Sequence, residues 1–271
     1  MRVYPFNLAP RAGSAFARFP FMFAGSPWIS PDGDGRAVSC ALSLKSAGDQ
    51  GFDAEGRSPS RPSLFRSLGI DGNRVAARRQ THSRDVLAVD PLSPPPRFSD
   101  APPGDGLASS DGSVFLSVTV ADCLPVYLLD TVSGAFAVLH SGWKGTGIAA
   151  EALALMRGRW GTQAESVAAV LGPCIRGCCY AVDAERAAAF DAEFGGPGEY
   201  PLGPVVRELG GRYFIDLQAA NARLLAAAGV EHLAVCQDCT FEDERLGSYR
   251  REGPGGFTRM VAVAGRFPVG D

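Results

Sequence analysis

The chain has 271 residues, of which 26 are basic and 29 acidic, for a formal net charge of −3. At 46% hydrophobic and 20% charged residues, it is neither a disordered nor a collagen-like polypeptide. The mild negative charge and an isoelectric point near 5.7 give no electrostatic ground for a nucleic-acid or anionic-membrane partner. No apolar run has the length of a membrane span, and Arg11 and Arg18 interrupt any signal-like stretch, so a cytoplasmic protein is expected. Seven cysteines, an odd number, predict free thiols or metal ligands rather than a disulfide framework.

Residues 1–60 are rich in Gly, Pro and Ser and read as irregular, with a turn cluster at 31–35. Residues 63–68 predict a short helix, and 91–103, with its three consecutive prolines, a loop. Beyond it the periodicity sharpens. Residues 114–120, 124–129 and 135–139 predict strands, 147–157 an apolar helix and 167–171 a buried strand. Helices are expected at 184–194 and 217–228, the second stopped by Gly229, and strands at 230–236 and 259–264. Helices and strands alternate, yet several strands follow one another directly. That predicts an α/β (α+β) domain with mixed sheets, taken as a single domain over 1–271.

The chain contains three histidines, His82, His140 and His232. His82 lies in Gln80-Thr81-His82-Ser83, and His140 ends an apolar segment and enters Ser141-Gly142-Trp143-Lys144-Gly145. Between them, Asp122 and Cys123 interrupt what would otherwise be one long apolar strand, and a charge buried there needs a partner. Two readings compete. In one, His82, Cys123 and His140 converge at strand ends and bind one zinc, with a fourth position open for water or substrate. In the other, Cys123 is a buried structural thiol and the histidines are ordinary hydrogen-bonded side chains.

Two further constellations carry potential chemistry. The segment 171–180 places Cys174, Cys178 and Cys179 in a glycine-containing turn, and Cys236-x-x-Cys239 adds a second thiol pair. These can hold a metal or cluster, or pack as small apolar groups. Ser248, Arg250 and Arg251 lie in Gly247-Ser248-Tyr249-Arg250-Arg251-Glu252-Gly253 and can bind an oxyanion such as phosphate, or form a solvated basic turn.

In order, these segments resemble the YfiH-like family, also called the multicopper polyphenol oxidase or laccase-domain family. The likeness covers about residues 60–265 and is carried by Gln80-Thr81-His82, Ala121-Asp122-Cys123-Leu124-Pro125, His140-Ser141-Gly142-Trp143-Lys144-Gly145, Gly172-Pro173-Cys174-Ile175, Cys178-Cys179-Tyr180, Cys239-Thr240 and Ser248-Tyr249-Arg250-Arg251. The resemblance implies a layered α/β sandwich once grouped with cysteine hydrolases. It implies metal ligation by His82, Cys123 and His140, and phosphorolysis of adenosine, inosine and methylthioadenosine with adenosine deaminase activity beside it. The resemblance implies that Arg61 matches a family arginine and binds substrate or phosphate, and that Ser83 stands where the family usually carries Gly. On the residues themselves, Ser248, Arg250 and Arg251 are the expected phosphate ligands, and Asp122 an acid, a base or the orienter of a histidine.

Three other functions use the same residues. A Cys–His hydrolase or amidase would take Cys123 as nucleophile and His140 or His82 as base. A laccase needs more imidazoles than three histidines supply. A single blue-copper site would need an axial ligand from Met1, Met22, Met156 or Met260, none of which lies in a ligand-like cluster, so copper is the lesser expectation. The divergent N-terminal segment keeps a non-catalytic binding module open.

Overall fold

The computed structural model describes residues 1–28, 37–89, 102–198 and 201–268. The turn cluster expected at 31–35 and most of the loop expected at 91–103 fall outside the described residues.

The N-terminal part is not irregular. It contains β1 (Arg2–Phe6), β2 (Phe16–Pro20), a small hairpin of β3 (Met22–Phe23) and β4 (Ser26–Pro27), and β5 (Val38–Ser43). Helix α1 (Arg61–Ser67), with Pro62 in its first turn, precedes β6 (Val75–Ala76), β7 (Val86–Ala88) and β8 (Gly106–Ser109). The central run is β9 (Phe115–Val120), β10 (Leu124–Asp130), β11 (Phe136–Ser141), α2 (Ile148–Trp160) and β12 (Val167–Leu171). A lobe of β13 (Ala181–Val182), α3 (Ala184–Phe194), β14 (Val206–Leu209) and β15 (Arg212–Ile215) follows. The chain then forms α4 (Leu217–Ala227), β16 (His232–Cys236), the short α5 (Tyr249–Glu252) and β17 (Met260–Arg266).

The long strands assemble into two mixed sheets. One has seven strands in the order β1-β16-β12-β10-β11-β8-β7, the other five in the order β2-β5-β17-β9-β6. Side-chain alternation places the layers. Along β10, Leu124, Val126 and Leu128 face the cluster that also takes in Ile148, Met156, Phe190 and Leu225 of the helices, whereas Tyr127 and Leu129 face the other sheet. Along β17, Met260, Ala262 and Ala264 face inward, and Val261 and Val263 meet Leu64, Phe65 and Leu68 around α1. The order through the molecule is therefore α2/α3/α4, seven-stranded sheet, five-stranded sheet, α1, as expected for a strand buried on both faces.

Local chemistry sets the helix ends. Asp183 and Asp216 cap α3 and α4 by accepting from Arg186 N–H and Ala219 N–H. α4 stops at a Schellman motif: Gly229, at φ 94°, donates to the Ala226 carbonyl and Val230 to that of Leu225. Among the described residues, no helix is long and apolar enough to cross a membrane.

Candidate metal centre and active-site cavity

The two sheets bring the site together where the chain crosses between them. β9 belongs to the five-stranded sheet and β10 to the seven-stranded sheet, so 121–123 is the crossing, and Asp122 turns it at φ 76°. β6 and β7 are likewise divided between the sheets, and His82, at φ 60°, lies on their connection. Non-glycine residues at positive φ are uncommon and gather at functional sites. The β10/β11 register pairs Pro125 with His140, which returns His140 beside Cys123. The ligand atoms of His82, Cys123 and His140 all lie within 4.8 Å of one another.

Asp105, which the sequence analysis did not single out, organises this cluster. It immediately precedes β8 and is fully buried. One carboxylate oxygen meets His140 Nδ1 at 2.8 Å and accepts from His82 N–H. The other accepts from Thr81 N–H, Ser83 N–H and the Ser83 hydroxyl. This fixes His140 with Nε2 free for ligation and holds the His82 loop in its left-handed turn. Ser83 adds its hydroxyl to that anchor. Gln80 ties the same loop to β9 by a paired amide contact with the Thr119 backbone.

The electrostatics suit a cation. Burial would raise the Cys123 thiol, but the His140 charge and hydrogen bonds from both imidazoles bring it down to about 6. Burial would raise Asp105 as well, yet its hydrogen bonds from His140, Thr81 and Ser83 hold it at about 2. Burial would lower His140, but Cys123 and Asp105 lift it to about 9. A thiolate and two imidazoles converging on one point form a donor set for a thiophilic divalent ion, with a proton leaving His140 as the ion enters. Gly142 makes room for this approach, because a Cβ there would meet Cys123 Sγ at 2.9 Å.

A cavity of about 780 Å³ opens over the triad. Phe52, Trp143, Tyr180, Tyr249 and Phe257 supply aromatic faces, and Arg78, Arg79, Arg186, Arg250 and Arg259 supply positive charge. The expected phosphate residues separate here. Arg250 lines the cavity, its guanidinium donating to the Ala181 carbonyl and lying over Tyr180. Arg251 turns away: its guanidinium donates to the carbonyls of Thr240, Phe241, Asp243 and Leu246 and pairs with Glu252. Ser248 is fully buried and caps α5, accepting from Arg251 N–H. Arg61 lies behind the wall, bonded to the Gln50 carbonyl and to the hydroxyls of Ser117 and Thr119.

Asp122 does not orient a histidine either; Asp105 does. The two oxygens of Asp122 accept from the Thr240 hydroxyl and from Arg250 N–H, each at 2.6 Å, so it pins the start of α5 at the lining of the cavity. The arginine the sequence reading missed is Arg78. It is 8% exposed, lines the cavity, and its Nε has no partner among the described residues. Its place two residues before Gln80-Thr81-His82 was the available signal. The third histidine, His232, lies elsewhere, between Tyr4, Ala24 and Phe23.

The thiol pairs also separate. Cys174 and Cys236 are fully buried in the two cores, whereas Cys239 groups with Cys178 and Cys179.

A family model described as multi-copper polyphenol oxidoreductase laccase matches residues 45–266. Purine nucleoside phosphorylase YlmD of Geobacillus stearothermophilus is 34% identical over 215 residues, 76% of this chain and 77% of the relative. Adenosine deaminase RL5, from an unknown prokaryotic organism, is 31% identical over 201 residues, 69% of this chain and 75% of the relative. The crystal structure of YlmD from Geobacillus stearothermophilus superposes with a TM-score of 0.74 at 29% identity, covering 91% of this chain and 98% of that one.

Proposed function

The chain belongs to the multi-copper polyphenol oxidoreductase laccase family, and we propose that it is a zinc-dependent purine nucleoside phosphorylase. The observation that carries this reading is the joining of a two-imidazole, one-thiolate cluster to an arginine-lined, aromatic-walled cavity. The cavity volume lies in the range that encloses a small ligand such as a nucleoside. The names of the relatives support the substrate class.

His82, Cys123 and His140 would hold the ion, which supplies Lewis-acid stabilisation of charge at the reacting centre when bound. Phosphate enters as an anion. Arg78, with an unpartnered buried Nε, and Arg250 at the cavity wall are its ligands, because a planar guanidinium matches phosphate oxygens. The aromatic faces stack the purine. A phosphate oxygen then attacks C1′ as the N9–C1′ bond breaks. The bonding pair goes to the purine, which takes up the proton that hydrogen phosphate gives up, and ribose 1-phosphate forms. Asp122 acts by position, holding Thr240 and the Arg250 backbone at the rim.

The copper-oxidase reading lacks its ligands: the metal-capable groups among the described residues contain two histidines, and no methionine lines the cavity. The Cys–His hydrolase reading keeps one specific support, because Cys123, His140 and Asp105 stand as nucleophile, base and orienter. Metal content separates the two, since a thiolate committed to zinc is a poor nucleophile. Adenosine, inosine and methylthioadenosine incubated with and without phosphate test the proposal by chromatography. Phosphate-dependent base release is expected. Base release that ignores phosphate would make the protein a hydrolase, and inosine formed from adenosine alone would make it a deaminase.

A further inference from the structure

Outside the cavity, a second group of soft ligands converges. The ligand atoms of Cys178, Cys179, Cys239 and Glu242 all lie within 4.8 Å of one another. Cys178 Sγ is 3.2 Å from Cys179 Sγ and 3.8 Å from a Glu242 carboxylate oxygen. The four residues come from two loops that the backbone already locks together. Cys174 and Cys239 form a parallel bridge, and Thr240 N–H donates to the Cys174 carbonyl. Within the first loop, Cys179 and Tyr180 both donate to the Arg176 carbonyl. Within the second, Glu242 and Asp243 both donate to that of Cys239. Arg176 N–H points at Cys239 Sγ from 3.5 Å.

We infer that Cys178, Cys179, Cys239 and Glu242 form a second metal site, taking one Zn²⁺ through three thiolates and a carboxylate. The donor set is the soft, four-ligand type that favours Zn²⁺ over hard cations, and it has no open position, which marks a structural rather than a catalytic ion. Three sulfurs this close resist ionising together unless a cation sits among them, and binding sends their protons to solvent. Cys178 and Glu242 are exposed, so an ion has a route in.

The site would brace the cavity wall. Cys239 is followed by Thr240, which holds Asp122, and Cys179 by Tyr180, which lines the cavity. The inference does not depend on the nucleoside reading, and its test needs no turnover.

Reduced, metal-stripped full-length protein would be reloaded with Zn²⁺, and separately with Co²⁺, and the metal counted after gel filtration. The expected content is about two equivalents in the wild type and about one in Cys123→Ala. Cys178→Ser/Cys179→Ser should also hold about one equivalent. Co²⁺-loaded Cys123→Ala should show a strong sulfur-to-cobalt charge-transfer band, lost when Cys178→Ser/Cys179→Ser is added. Near-ultraviolet circular dichroism of that combined variant guards against unfolding, and Glu242→Gln, on the surface, should weaken Co²⁺ binding without touching a thiol. A Cys123→Ala protein that binds no Co²⁺ with that band, or a wild type that never exceeds one equivalent, overturns the inference. A Cys178–Cys179 disulfide that persists under reductant would do the same.

Discussion

A single carboxylate decides the geometry of the triad. Asp105 is buried, charged and bonded to three consecutive backbone N–H groups as well as to His140. Asp105→Asn keeps the shape but sets an amide NH₂ against donors. Metal affinity should fall by about 10–100-fold, as for other groups that orient a ligating histidine, measured by chelator competition. An unchanged affinity would show that Asp105 is ordinary packing. Gly142→Ala tests the close approach from the other side. Its Cβ would press on Cys123 Sγ, so the triad's metal content should drop while the fold, followed by circular dichroism, persists. At this scale the ligands were legible: His82, Cys123 and His140 are rare, chemically loud residues beside turns. Asp105 was not, because one aspartate in a Gly- and Pro-rich stretch carries no local signal, and its role comes from the lateral pairing of β8 with β11.

The short helix α5 divides two arginines that look equivalent in sequence. Arg251 spends its guanidinium on four carbonyls and Glu252, so it ties α5 to the 240–246 loop. Arg250 faces the cavity. Arg251→Ala should lower stability by about 2–4 kcal/mol, since hydrogen bonds to a charged group are individually the stronger kind. Arg250→Ala should leave the melting temperature near that of the wild type and raise the phosphate KM. If the two effects came out exchanged in denaturant melts and saturation kinetics, the assignment would be wrong. The strands show the same limit of local reading. Those of the central run were legible because they are largely apolar and almost wholly buried. β1 and β2 were not, because each is a five-residue edge strand, half exposed and punctuated by Arg and Pro. β5 was hidden for another reason: it is central, yet its Ser-, Cys- and Ala-containing run sits in a Gly- and Ser-rich neighbourhood.

Across the whole molecule, two stacked sheets share their crossings, and the crossings carry the chemistry. β6 to β7 delivers His82, β9 to β10 delivers Asp122 and Cys123, and β11 returns His140 to the same end. No segment contains the site; the layering creates it, and that is why the order of motifs along the chain was informative while each motif alone was weak. The central claim is that this assembled site uses phosphate as its nucleophile. The measurement that tests it most directly is phosphorus NMR of zinc-loaded protein incubated with adenosine or inosine and inorganic phosphate. A ribose 1-phosphate resonance should grow in step with free base, at a rate that saturates with phosphate and is lost in Cys123→Ala. Free base accompanied by unphosphorylated ribose, or no turnover of either nucleoside by fully zinc-loaded protein, would contradict it.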